Sequence, residues 1–253
     1  AERLLRAKEC AMVIMCTTTD TSDDLLANRW ENTPVKVFRG DPKDPFKRML
    51  ACAEKFRLTH FVYAGADDVL LDPELCDLFA LRVARTDADM TLMEGIVCGF
   101  TPFLFSTKAA RRLVETVEGD ITIPEKYMKD LGGFVVDEVS CTDFEYLARP
   151  EVRATLDYDV DFLFFEKIIS ALYPENQSYT NRDVMDYLND HDDIVQINAS
   201  KHEDWTKNQT AQYEKTKSIG IEQDVPSYTG NDVKRNVIRQ CVVVSGANGF
   251  IGN

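Results

Sequence analysis

Apolar and polar positions alternate between two rhythms along this 253-residue chain. Residues 11–18 (AMVIMCTT) form a near-continuous apolar run, the pattern of a strand covered on both faces. Asp20, Ser22, Asp23 and Asp24 follow, a set that can cap and charge the start of a short helix reaching Trp30. Residues 35–38 (VKVF) read as a short strand ending at Arg39 and Gly40. From Asp44, with Pro45 suited to the first helical position, Phe46, Met49, Leu50, Ala53 and Phe56 recur at three- and four-residue intervals and predict an amphipathic helix. Residues 59–63 are the next strand, and Asp72 and Pro73 open a helix to about Ala84. Residues 90–93 and 103–105 read as strands, and 106 to about 118 as a helix. Phe162, Phe165, Ile168, Ile169 and Leu172 mark another helix from about Val160, and residues 1–9 carry helical spacing at the start.

Strands and helices in this order imply a mostly parallel sheet with right-handed crossovers and helices on both faces, a Rossmann-like α/β fold. Ligands of such sheets bind beyond the carboxyl ends of the strands. Further on, residues 202–236 are rich in Lys, Gln, Thr and Ser, with Gly220, Pro226 and Gly230, and read as a linker holding at most one short helix. A β-branched strand (236–245, NVIRQCVVVS) then runs into Gly246, Gly249 and Gly252 in G-x-x-G-x-x-G spacing. The expected division is therefore a first domain over 1–200, a linker over 201–236, and the opening strand and glycine turn of a second domain over 237–253. Both ends read as cuts from a longer protein: Ala1 stands first, and the chain stops at Asn253 just after the glycines.

Composition narrows the chemistry. Hydrophobic content of 44% is ordinary for a globular protein, and no apolar run approaches the length of a membrane span. Forty-three acidic against 29 basic residues give a net charge of −14, which repels nucleic acid and anionic lipid. An anionic substrate would need a metal ion or a local basic cluster. The seven cysteines have no metal-binding spacing, and several sit in apolar runs, so they read as reduced core residues of a cytoplasmic protein.

The strand at 59–63 is followed by Asp67 and Asp68, two acids where this architecture places its ligands. A hard cation such as Mg²⁺ takes one or two protein carboxylates along with phosphate oxygens and water. The second candidate source is RATLDYDVD at 153–161, where Asp157, Asp159 and Asp161 alternate and would share one face of an extended segment. The competing reading makes all these acids turn residues and caps. His60, His191 and His202 offer no evident general base.

Four stretches carry a family resemblance. CTTTDTSDDLLA (16–27), VKVFRGDPKDPFKRMLACAEKF (35–56), HFVYAGADDVLLDPELCDLF (60–79) and RATLDYDVDFLFFEKI (153–168) resemble, in order and spacing, the cytidylyltransferases of the spore-coat polysaccharide, acylneuraminate and KDO group. The resemblance implies a glycosyltransferase-A type sheet and a Mg²⁺-dependent transfer of CMP from CTP to a sugar, sugar acid or polyol phosphate, with release of pyrophosphate. It implies Asp67 and Asp157 as catalytic metal carboxylates, with Asp159 as a further ligand, and Thr18, Thr19, Asp20, Arg39 and Ala66 around the nucleotide. The alternative for Arg39 is a structural partner of Asp41 and Asp44. The chain departs from the family at Val69, where proline is usual, and at 158–161, where a TPED turn is usual. The family's glycine-rich basic loop is expected before Ala1. Residues 94–146 fall where that family sets acceptor specificity and pairs as a homodimer.

VVVSGANGFIG (242–252) resembles the opening of extended short-chain dehydrogenases and sugar-nucleotide epimerases, which implies NAD(P) binding at Gly246, Gly249 and Gly252 in a bifunctional protein. Two other readings compete with the cytidylyltransferase: a nucleotide-sugar glycosyltransferase using Asp67 and Asp68 as its metal pair, and an inactive domain serving assembly.

Overall fold

The computed structural model describes residues 1–121, 123–217 and 240–245. Among these, one sheet runs in the order β2-β1-β7-β3-β5-β4-β6. Its strands are β1 (Val13–Thr18), β2 (Lys36–Gly40), β3 (His60–Ala64), β4 (Met90–Leu92), β5 (Phe103–Ser106), β6 (Val136–Glu138) and β7 (Gln240–Ser245). The helices are α1 (Asp24–Arg29), α2 (Pro45–Lys55), α3 (Pro73–Thr86), α4 (Thr107–Thr116), α5 (Pro124–Leu131), α6 (Asp159–Leu172), α7 (Asn181–Asn189), α8 (Asp192–Val195) and α9 (Lys201–Lys217). All strands but β5 run in one direction; β5 is antiparallel to both β3 and β4. The Rossmann-like α/β class expected from the alternation is the class observed.

Strand alternation builds two apolar layers. Val13, Met15, Val62, Ala64 and Leu104 face one side, where α3, α6 and α7 cover them. Ile14, Cys16, Phe61, Met90 and Phe105 face the other, under α2, α4 and α5. Helix starts are set locally by short polar side chains: Asp44 accepts from the Lys47 amide at 2.9 Å ahead of Pro45, and Asp72 from the Glu74 amide at 2.8 Å ahead of Pro73.

Three expectations change. The opening helix is only a 3₁₀ turn, Arg3–Arg6, because Ala7 turns extended and the Lys8 and Glu9 amides are taken by the Asp77 carboxylate at 2.9 and 2.7 Å. Much of the expected linker is α9, a polar helix that hydrophobic periodicity does not reveal. One buried side chain anchors its far end: the Tyr213 ring lies 5.0 Å from that of Tyr127, and its hydroxyl donates to Asp130 at 2.5 Å. The third change concerns the strand expected to open a second domain. Gln240–Ser245 lies inside the first domain's sheet, parallel to β1 and β3, with Val244 beside both Met15 and Ala64. Its β-branched run suits a strand flanked on both sides, and a sequence pattern cannot say which sheet such a strand will enter. Gly246, Gly249 and Gly252, and residues 218–239, lie outside the described residues.

Among the described residues no helix is long and apolar enough to cross a membrane. Cys10, Cys16, Cys52, Cys76, Cys98 and Cys141 are free thiols, and Cys16, Cys52 and Cys76 are buried as the sequence suggests.

Candidate active site

Just beyond β3 the chain makes a tight turn in which the Asp68 amide bonds Gly65 O at 3.3 Å and the Val69 amide bonds Asp67 O at 3.0 Å. This turn presents both aspartates at the carboxyl edge of the sheet. A side chain at position 65 would strike the carboxylates of Asp67 and Asp68 as they stand and force them to shift.

Two other segments are stitched onto this turn by backbone hydrogen bonds. The Leu156 amide donates to Asp67 O at 3.0 Å and the Ala154 amide to Cys98 O at 2.9 Å, with a parallel bridge between Cys98 and Arg153. Gly99 sits where a Cβ would overlap the Ala154 carbonyl oxygen, and its φ of +91° is one that side chains rarely adopt. The extended stretch from 153 puts Arg153, Thr155 and Asp157 in alternation on one face. Thr155 Oγ1 lies 3.1 Å from Asp157 Oδ2 and 3.5 Å from Asp67 Oδ2, so the two carboxylates are no farther apart than those distances together allow. A hydroxyl has a single proton and can donate to one of them at a time.

The electrostatics follow from this crowding. Burial pushes the pKa of Asp67 up. Burial and the neighbouring Asp67 charge push Asp68 well above the ordinary carboxylate range. Burial and Asp67 also raise Asp157, against the pull of Arg153. Three crowded carboxyl groups resist ionising together, and positive charge beside them would offset that cost. Arg153 supplies part of it: fully buried, its Nη2 donates to Asp157 Oδ2 at 2.5 Å and to Asp161 Oδ2 at 3.1 Å.

Asp159 does not join this cluster. The chain turns helical at Asp159, so the alternation expected through 161 stops, and Asp159 faces solvent at the first position of α6. Asp161 is buried and turned back to cap the helix, accepting from the Asp157 and Tyr158 amides at 2.8 Å each. Among the described residues no three His, Cys, Asp or Glu side chains are grouped to hold a metal ion by themselves. The donors present fit Mg²⁺ in its usual manner, with two carboxylates from the protein and the remaining oxygens from phosphate and water.

The nucleotide candidates gather at the end of β1, separated from β3 by β7 and therefore about 10 Å away. The Thr17 and Thr18 hydroxyls each donate to Asp23 Oδ2 at 2.6 Å, joined by the Thr18 amide at 2.9 Å. Thr19 bonds Gly40 O through its amide, and Asp20 accepts from the Ser22 amide at 2.8 Å. Arg39 clasps this turn, donating to Thr18 O, Asp20 O and Asp24 Oδ1 at 2.8, 2.6 and 2.5 Å. Its acidic partner is thus Asp24, while Asp41 and Asp44 are engaged with the amides that start α2. Ala66 lies in the turn between Gly65 and Asp67.

Sequence reading overlooked Arg153, Thr155 and Gly99 as residues of this cluster. The first two were visible as an upstream extension of the aspartate alternation; Gly99 carries no local signal, since its close approach is to a segment far along the chain. In the first turn of α5, burial pushes the Glu125 carboxyl up to about 7.

The class this geometry defines is a Rossmann-like α/β domain with an acidic cluster at a strand end. The sequence matches no protein-family model. It is 23% identical over 212 residues to the uncharacterized protein MJ1063 of Methanocaldococcus jannaschii, covering 79% of this chain and 82% of that protein. In structure it is similar to a cytidylyltransferase from Leptospira borgpetersenii serovar Hardjo-bovis, with a TM-score of 0.63 at 18% identity over 77% of this chain and 84% of the other. It is also similar to a CMP:2-keto-3-deoxy-manno-octonic acid synthetase complexed with CTP, with a TM-score of 0.46 at 12% identity over 69% and 86% of the two chains. The first of these structures shares the fold.

Proposed function

We propose that this domain is a Mg²⁺-dependent cytidylyltransferase that transfers CMP from CTP to an anionic carbohydrate or polyol acceptor and releases pyrophosphate. The observation that carries the reading is the meeting of Asp67 and Asp157, from distant parts of the chain, on one threonine at the carboxyl edge of a parallel sheet. The shared fold with a cytidylyltransferase supports it.

In this reading the cytosine and ribose lie toward Thr18, Thr19, Asp20 and Arg39, and the phosphates extend across the edge toward Asp67 and Asp157. Mg²⁺ held by those two carboxylates would supply the positive charge that a transferring phosphoryl group requires. Thr155 and Arg153 hold the two carboxylates in place. An acceptor oxygen bonds to the α-phosphorus while the bridging bond to the β-phosphate breaks and pyrophosphate departs with its electrons. A hydroxyl acceptor must also lose its proton, whereas a phosphate acceptor is already an oxyanion.

The test is pyrophosphate release by the full chain with CTP, Mg²⁺ and a panel of sugar phosphates, polyol phosphates and keto-sugar acids, alongside binding of CTP and UDP-sugars. Binding of CTP in preference to UDP-sugars, with at least a 10³-fold drop in turnover on Asp67→Asn, is the expected result, on the order of losing one electrostatic partner of the transition state. Preference for a UDP-sugar would favour a glycosyltransferase instead.

A further inference from the structure

Asn198 lies between α8 and α9, is fully buried, and has no counterpart in the proposed chemistry. Its side-chain amide donates to two acceptors, Asp161 Oδ1 at 2.8 Å and the Arg153 carbonyl oxygen at 3.0 Å. The other oxygen of Asp161 receives the amides of Asp157 and Tyr158 at 2.8 Å each and the Arg153 guanidinium at 3.1 Å. One carboxylate and one amide therefore grip both ends of the 153–158 segment, the segment that delivers Asp157.

We infer that Asp161 and Asn198 are positioning residues that fix the Asp157 carboxylate for a divalent cation, so that the C-terminal helix α9 is mechanically part of the metal site. The inference rests on the proposed metal-binding role of Asp67 and Asp157.

The residue types fit this role. Position 198 faces two acceptors, so it must present two N–H groups. Aspartate there would set a charge against Asp161, and leucine would leave both acceptors buried without partners. Asn198 Oδ1 has no hydrogen-bond partner among the described residues, which agrees with both N–H groups being the functional end of the amide. Asp161 is likewise saturated: were it asparagine, its N–H₂ group would have to face either backbone amides or the Asn198 donor. The Arg153 guanidinium, whose Nε and Nη1 have no partner in the described residues, lies 5.7 Å from the Trp205 ring of α9 and 5.3 Å from the Tyr158 ring. α9 is thus attached near the site through Trp205 and through Asn198 just ahead of its first turn, and at its far end through Tyr213, which packs on Tyr127 of α5. A segment held this way keeps Asp157 near Asp67 before any cation arrives, which reduces the ordering that binding must impose.

The experiment uses the full chain and Mn²⁺ alone as probe, titrated by calorimetry and by electron paramagnetic resonance, with Asn198→Ala and Asp161→Asn compared to Asp157→Asn. The expected result is a Kd for Mn²⁺ raised at least tenfold in Asn198→Ala. Its turnover at saturating CTP should recover as Mg²⁺ is raised, and its KM for CTP measured at saturating Mg²⁺ should stay within a factor of two. A merely structural defect would lower the amount of active protein without moving the metal requirement. Should the wild-type chain fail to bind Mn²⁺, the proposed function falls. Should it bind, with Asp157→Asn impaired but Asn198→Ala unchanged, only this inference falls. Asn198→Ala removes one buried amide from a helix junction, and its metal titration is read on the folded fraction below its melting temperature, so reduced stability alone does not mimic the result. Asp161→Asn should move the Mn²⁺ Kd in the same direction and further; a wild-type Kd in the folded fraction of that variant also overturns the inference.

Discussion

The ends of β1 and β3 flank the same strand at the same edge of the sheet, yet they are opposite in electrostatic character. At β1 the polar groups answer one another. Burial works against the charge of Asp23, but the Thr17 and Thr18 hydroxyls and the Thr18 amide outweigh it and hold the carboxyl below its ordinary pKa. At β3 the carboxyls of Asp67, Asp68 and the incoming Asp157 are all raised, with Arg153 offsetting only part of the crowding. One end is satisfied by the folded chain alone; at the other, crowded carboxyls resist ionising together, and the proposed cation would relieve them. The contrast separates a rim whose charges are balanced by its own hydrogen bonds from one whose charges are not, within a span of two strand spacings.

Removing the strand between the two ends is the most severe way to break this contrast. A chain ending at Lys217 lacks β7, which leaves facing sides of β1 and β3 without their ladder partners. Its melting temperature is expected to fall by more than about 10 °C, with amide exchange in β1 and β3 rising together. Calorimetry and hydrogen exchange read the two quantities. An unchanged melting curve would show that Gln240–Ser245 is not needed by this sheet.

Next in size is Gly99→Ala. The added carbon demands a strained φ and overlaps the Ala154 carbonyl, so a cost of about 3 kcal/mol is expected. The damage should be one-sided: Mn²⁺ affinity lost, exchange of the Thr17 and Thr18 amides unchanged. Equal loss at both ends would mean that the two rims are one cooperative unit.

Asp68→Asn should act in the other direction, stabilising the metal-free protein. The folded pKa values of Asp67, Asp68 and Asp157 lie above the ordinary value of 3.8. Below that value these groups are neutral in both folded and unfolded chains. As pH rises from about 4 through the raised values, the unfolded chain ionises first and stability is lost. Asp23, with its lowered pKa, acts oppositely and loses its contribution as pH falls below 3.8. The difference in melting temperature between Asp68→Asn and wild type should therefore grow with rising pH and shrink when Mg²⁺ is added. A difference that stays flat across pH would remove the electrostatic half of the contrast.

These sites differed in legibility for physical reasons. The Asp44-Pro45 and Asp72-Pro73 starts were readable because a cap and its helix are neighbours in sequence. The closeness of Asp67 and Asp157 was readable because strand ends are where such sheets collect carboxylates, and four motifs in order put them there. Asp159 misled because alternation has meaning only while the chain stays extended, and α6 begins there. β7 was legible as a strand but not in its location, since parallel pairing is a long-range choice. α9 escaped because a few anchors, Tyr213 among them, hold an otherwise polar helix. Asn198 gave no signal at all; its partners lie 37 and 45 residues away.

Smaller tests sharpen the satisfied rim. Thr18→Val removes one of three donors to Asp23 and should cost about 1 kcal/mol, with Mn²⁺ affinity unchanged. Smaller still is Asp24→Asn. The pair it makes with Arg39 is partly solvated, with side chains 32% and 49% exposed for Arg39 and Asp24, and exposed pairs of this kind contribute little. Asparagine keeps an oxygen able to accept from the guanidinium, and Arg39 retains Thr18 O and Asp20 O. The stability change should stay below about 1 kcal/mol and diminish with salt. If the variant instead loses CTP affinity tenfold with its melting temperature intact, the charge at Asp24 is setting the orientation of Arg39 toward the nucleotide, and the β1 end has a recognition role beyond its own hydrogen bonds.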